Sequence, residues 1–347
     1  MDTNKQQGFI LATTVWMIAI LSILAAVFHG YVQDQVASAR AIKLRVQADL
    51  DMNATAVTVR YLLGTRRATL AGLTVLPEHQ LNVITDEGVA DISPVGFEIK
   101  LDGSLYAGIG NAWFQIQDQA GLLGLNSPGV ETFFFEVLRD RVSSQTAREL
   151  SGALADYIDG NTKRRFNGAE RPQYQAASLP GPSNWFLRTD QELADVLGWG
   201  ERLMDTGFAS LVAPTYANVL NVNTAPPPLL GLLLNLDEDQ VQKLVSARND
   251  YPFRSLESVA DAVNAFANWE ENRFRFYSSD QLRVTLGCNG CNFVRIESVE
   301  LTPDGYFGPL LTDYVYLRPR SREQTDNVQA AASVAGDLFK DTLPAKG

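Results

Sequence analysis

Histidine is scarce in this chain: 347 residues contain two, His29 and His79. Both lie in the first quarter, apart from any cluster of nucleophiles or metal ligands. That argues against a Ser/His/Asp triad and against a histidine-rich transition-metal centre. Positive charge is also in deficit, with 29 Lys and Arg against 40 Asp and Glu, a net charge of −11. Such a surface repels phosphate backbones, and no basic stripe offsets it, so nucleic acid is not an expected partner. The sequence contains no Walker loop, dinucleotide fingerprint or nucleophile elbow, and its carboxylates are not spaced as an acid/base pair. The expectation is a protein that is not an enzyme.

Cysteine is equally sparse. The two residues, Cys288 and Cys291, stand in GCNGC between QLRVTLG and NFVRIESVEL, which alternate apolar and polar side chains with a period of two. Asn289-Gly290 is a hairpin-turn dipeptide, so the pair faces itself across a tight turn. The ends of such a turn lie within about 7 Å, close enough to bridge. A structural disulfide is favoured over two free thiols. A thioredoxin-like site would open a helix, and a zinc site would need a second pair of ligands. A disulfide implies an oxidising compartment.

What is abundant is apolar sequence near the start. Phe9 to Phe28 carries no charge over 20 residues, a helix of about 30 Å, matching a bilayer's hydrocarbon core. A cleaved secretory signal would have a shorter apolar run, and the one A-x-A-like site, Ala37-Ser38-Ala39, lies well beyond it. Helical spacing then continues through Val36, Ala39, Ile42, Val46, Leu50, Ala54, Val57 and Tyr61, with no proline, and no glycine after Gly30 until Gly64. One helix from Phe9 to about Leu63 is predicted, membrane-grade in its first half and amphipathic in its second.

The remainder reads as strands, then helices, then strands. VGFEIKLDG and SLYAGIGNAWFQIQDQAG are predicted strands, with Asp102-Gly103 as a hairpin turn. Ser127-Pro128 reads as the cap and first turn of a helix over VETFFFEVLRDRV. SSQTARELSGALADYIDG reads as a second amphipathic helix, and QELADVLGW and ERLMDTGFASLV as short ones. Phe133-Phe134-Phe135 cannot all face inward from one helix, which leaves one for a subunit contact. Pro226 to Pro228 reads as a helix-start device. DQLRVTLG, NFVRIESVEL and DYVYLRP are three antiparallel strands, and the last stretch reads as a flexible tail. The predicted fold class is therefore α+β. A long N-terminal helix packs on an antiparallel β-sheet, with a large all-α domain inserted between strands. The predicted boundaries are 1–8, 9–28, 29–121, 122–278, 279–320 and 321–347.

The short leader with Lys5, then Gly8, then Phe9 opening a long apolar helix, resembles the N-terminus of type IV pilins and type II secretion pseudopilins. The resemblance implies that a prepilin peptidase cuts between Gly8 and Phe9 and methylates the new terminus. Most pilins carry glutamate as the fifth mature residue, where this sequence has Thr13. A carboxylate in a bilayer or a packed helical core is costly unless paired. Its absence resembles the K-type minor pseudopilin, a subunit that sits at the filament tip, as does the inserted helical domain. The implied function is to form or cap the tip of the periplasmic pseudopilus of a type II secretion system and to help start its assembly. The implied partners are I- and J-type minor pseudopilins, the major pseudopilin, the prepilin peptidase and the inner membrane. A positive-inside count, with Lys5 before the span and Arg40, Lys43 and Arg45 after it, would instead place the body in the cytoplasm. The disulfide and the resemblance both place it in the periplasm.

Two further resemblances lie in the helical block. Asp156, Asp159 and Gly168-Ala169-Glu170 resemble a K-type loop that holds calcium, implying Asp159, Asn161 and Glu170 as ligands. Asn161 stands where an acid is usual, Arg171-Pro172 follows the glutamate, and Lys163, Arg164 and Arg165 add three positive charges. A solvated loop held by salt bridges is the competing reading. Asn221 to Val259 resembles the helix-hairpin-helix family, with Asp237 and Gln240 as a capping box. That family's hairpin commonly meets DNA phosphate, which gives the alternative function of a membrane-anchored DNA-uptake or type IV pilus component. Here the hairpin is Asn235 to Asp239, NLDED, with no glycine and three carboxylates. A protein-interaction module is the expectation.

Overall fold

A computed structural model describes residues 7–75, 92–96, 98–139, 141–202, 207–216, 219–264, 269–320 and 339. Met1 to Gln6 of the expected leader, His79 and the tail apart from Phe339 lie outside the described residues.

The first element is a single helix, α1 (Gln7–Thr65), of 59 residues. Residues 11–47 are exposed along it, with Trp16 at 71% and Phe28 at 66%. Burial begins at Asp51 and Met52, and Ala56, Val59, Leu62 and Leu63 form one fully packed stripe. The spacing of three and four residues puts these side chains on one helix face. A three-stranded antiparallel sheet follows, built from β1 (Ala68–Thr69), β2 (Gly72–Thr74) and β3 (Glu98–Ile99). Next come β4 (Asp102–Ala107) and β5 (Ala112–Asp118), paired antiparallel.

Asp102-Gly103 is not the hairpin turn. These residues open β4 at a register irregularity, and the chain reverses at Gly108–Asn111. The reversal is set by contact with α1. Thr55 Oγ1 accepts from the Ile109 amide at 2.9 Å and Asp51 Oδ2 from the Asn111 amide at 3.0 Å. Gly108 packs so tightly against Thr55 that a Cβ there would come within 2.7 Å of its side chain. A turn rule sees the dipeptide, whereas this turn is chosen by the helix beneath it.

The helical block begins after β6 (Leu123–Gly124). It comprises α2 (Val130–Leu138), α3 (Ser144–Ile158), α4 (Arg171–Ala176), α5 (Trp199–Arg202), β7 (Val212–Ala213), β8 (Leu220–Asn221), α6 (Pro227–Leu234), α7 (Glu238–Asp250), α8 (Leu256–Val263) and β9 (Phe274–Arg275). Two short parallel pairs, β6 with β7 and β8 with β9, tie its segments together. Ser127 does not cap α2. Its hydroxyl donates to the Gly124 carbonyl at 2.6 Å, and the cap position is Gly129 in the left-handed region at φ 76°. Ser143 caps α3 through the Thr146 amide, and Asp237 and Gln240 form a capping box on α7. Pro226 caps α6 and Pro227 opens it. None of the three consecutive phenylalanines is fully exposed. Phe134 is fully buried between Trp199 and Phe208, while Phe133 and Phe135 are half-buried beneath the guanidiniums of Arg273 and Arg148.

The chain then returns to the larger sheet through β10 (Gln281–Cys288), β11 (Phe293–Leu301) and β12 (Leu310–Pro319). The five strands lie antiparallel in the order β12-β11-β10-β5-β4, so the segment from β6 to β9 leaves and re-enters the sheet between neighbouring strands β5 and β10. Phe114, Ile116, Leu282, Val284 and Leu286 meet the packed stripe of α1. A separate apolar core, including Phe134, Leu154, Tyr174, Trp199, Leu230 and Val259, lies within the helical block. Phe339 stacks on Phe114 with ring centroids 5.1 Å apart. The architecture is α+β, with one long helix, antiparallel sheets and a helical block.

Candidate functional site

Gly8 and Phe9 lie in the first turn of α1, and Thr13 follows on the exposed part of the same helix. From Leu11 onward the helix is long and apolar enough to cross a membrane, by length and composition. Cys288 and Cys291 are joined in a disulfide with Cα atoms 5.3 Å apart, across the turn between β10 and β11.

The helical block is fastened to the sheet by buried polar groups whose partners are far apart in sequence. Asp118, at the end of β5, has no exposed surface. Its carboxylate accepts five hydrogen bonds, from the Ala120 and Ser279 amides, the Ser279 hydroxyl, Asn221 Nδ2 and the Thr224 hydroxyl, at 2.6–3.1 Å. A buried carboxylate is tolerable only when so satisfied. Asn223, two residues on, donates to the Phe253 and Phe276 carbonyls and accepts from the Phe253 amide. Arg248 on α7 donates to the Val222 and Ala225 carbonyls, and burial lowers its pKa against the opposing pull of Asp102. Within the stretch that resembles a helix-hairpin-helix motif, Asn221, Asn223, Thr224 and Arg248 are thus turned inward as a clasp, while Asp237, Glu238 and Asp239 of its hairpin are exposed.

A second join pairs Arg283 of β10 with Asp190 at 3.6 Å, both buried. Arg283 also donates to the Val212 carbonyl, and the Tyr316 hydroxyl of β12 donates to Asp190. Burial, then the Asp190 charge, raises the Tyr316 pKa far above its ordinary value. Neither join carries a sequence signal, because neither follows a local spacing.

The loop from Asp156 to Glu170 lies against α3. Gly152 permits the approach, since a Cβ there would come 2.9 Å from the Asn167 backbone, and one at Gly168 would overlap the Asp156 carboxylate. Arg165 Nη1 donates to Asp156 at 2.7 Å and also to Asp159, while the Arg165 amide donates to Asp156. Burial alone would lower the Arg165 pKa, but the hydrogen bonds to the two aspartates outweigh it and hold the pKa above its usual value. Asp159 Oδ1 accepts from the Asn161 amide and side chain, and Asn161 Oδ1 accepts from the Lys163 amide. Glu170 is buried, with Oε1 unpartnered, and burial followed by the charges of Asp156 and Asp159 raises its pKa. A groove of about 730 Å³ runs beside the loop, lined by Leu150, Arg164, Phe166, Leu179 and Leu197 among others.

Calcium needs six to eight converging oxygens. Of the expected ligands, Asp159 and Asn161 are turned to donors of the loop itself, and Glu170 contributes one free buried oxygen. Among the described residues no group of three His, Cys, Asp or Glu is placed to hold a metal ion. The donor set does not fit calcium, because Arg165 already supplies the positive charge.

These features define an α+β protein carried on a long, half-exposed N-terminal helix, with a helical block clasped between two strands of its sheet. Residues 128–206 and 220–271 match family descriptions that both read "Type II secretion system (T2SS), protein K". Both stretches lie in the helical block, where the chain is similar to that family. A chain in "The Crystal Structure of the GspK-GspI-GspJ complex from enterotoxigenic Escherichia coli Type 2 Secretion System" is 15% identical, with a TM-score of 0.47, covering 83% of this chain and 99% of its own. No curated protein matches this chain.

Proposed function

We propose that the chain is a minor pseudopilin that forms or caps the tip of the periplasmic pseudopilus of a type II secretion system and helps to start its assembly. The observation that carries this reading is α1. Its apolar residues from Leu11 to Phe28 are exposed, while from Ala56 onward one face of the same helix is packed against the sheet. Such an exposed apolar surface needs a bilayer or other helices to cover it. Before assembly the inner membrane covers it, with the body of the protein in the periplasm. In the filament the neighbouring subunits' helices do so.

The helical block widens the head and is held by the Asp118 and Arg283 joins, so it cannot swing aside for a subunit stacking above. Thr13 places no carboxylate in the helical core, so this subunit needs no partner for one. In this reading residues 122–278 are the inserted domain, the I- and J-type minor pseudopilins and the major pseudopilin are partners, and the prepilin peptidase cuts after Gly8. The role is structural, with no catalytic step. Immunogold labelling of overproduced pseudopili tests it. Label at one filament end is expected, and label along the length would contradict the tip assignment.

A further inference from the structure

We propose that Arg165 is a built-in cation: its guanidinium occupies the place between Asp156 and Asp159 that a divalent ion would fill, and makes this loop's fold independent of calcium. Asp156 is fully buried, and the Arg165 head group is its charge partner at 2.7 Å. The same Nη1 reaches Asp159, and Nε lies 3.4 Å from Glu131 on α2. One planar group therefore joins the end of α3, the loop and α2, a bridging task like that of a metal ion between loop carboxylates.

The backbone supports the same assignment. The Arg165 amide donates to Asp156, and Arg164 Nε donates to the Gly168 carbonyl at 2.9 Å, closing the loop around the guanidinium. Asn161 weakens the cluster's negative charge, and its side-chain Oδ1 is held by the Lys163 amide. Replacing an ion with a tethered arginine removes the dependence on ion concentration, since the partner is always present.

Thermal unfolding of the full chain in detergent micelles, with millimolar calcium or with EDTA, tests the assignment. The unsubstituted protein is expected to melt at the same temperature in both. Arg165→Gln is expected to melt about 3–6 °C lower in EDTA and to recover part of that loss in calcium, because the freed carboxylates then have a vacant cation position. A calcium-induced rise in the unsubstituted protein would overturn the proposal, and so would Arg165→Gln melting normally in EDTA or equally low in both. Equilibrium dialysis with radioactive calcium on the unsubstituted chain gives a reading even if the variant does not fold. No bound ion at millimolar calcium is expected, and one bound ion per chain would overturn the claim.

Discussion

Asp118 holds donors from three separate segments, and its loss would leave them buried without an acceptor. Asp118→Ala is expected to destabilise the protein by about 2–4 kcal/mol, read from chemical denaturation of the full chain in detergent. Glu170 behaves in the opposite way. Its pKa is raised in the folded state by burial and by Asp156 and Asp159, so its ionised form is disfavoured there relative to the unfolded chain. The resulting penalty is absent below the unfolded carboxylate range and grows as pH rises through the folded value. Glu170→Gln is therefore expected to stabilise the protein near pH 7 but not near about pH 4, as measured by melting temperature across that range. A ligand for calcium would give a loss instead. Neither role was legible in the sequence. Asp118 is one acid before a QAG turn, and its partners Asn221, Thr224 and Ser279 are about 100 to 160 positions away.

Elements whose pattern is local and repeated were legible, and those chosen by contact were not. The helix through Leu63 follows from an unbroken apolar and then amphipathic run, and the strands at 281–288, 293–301 and 310–319 follow from alternation. The bridged Cys288 and Cys291 follow from the turn between two such strands. The reversal at Gly108–Asn111 and the Gly129 start of α2 escaped, since Thr55, Asp51 and the Gly124 carbonyl select them from elsewhere. In the loop that resembles a calcium site, spacing identifies the acids but not that Arg165 folds back onto Asp156 and Asp159. Two substitutions test the elements themselves. Leu62→Ala removes a fully buried side chain where α1 meets the sheet and is expected to cost about 2–5 kcal/mol. Replacing both Cys288 and Cys291 with serine opens a short loop and is expected to cost about 2 kcal/mol. Denaturant titration reads both, and a reductant should lower the parent protein's stability to the level of the double variant.

Across the whole molecule, the sheet and the helical block have separate apolar cores joined by the Asp118 clasp and the Arg283–Asp190 pair. That arrangement predicts one cooperative unfolding transition in calorimetry. It should split into two when Asp118→Ala and Asp190→Ala are combined, because the joins and not a shared core couple the parts. A rigid, broad head on an anchoring helix is what the proposed tip role requires. The N-terminus decides the tip role, because every step assigned to α1 requires that Phe9 opens the mature chain and that its apolar half is retained. Mass spectrometry of the protein from cells with and without prepilin peptidase tests this directly. The account predicts a methylated N-terminus at Phe9 only when the peptidase is present. An N-terminus still at Met1 in its presence, or one beyond Phe28, would contradict it.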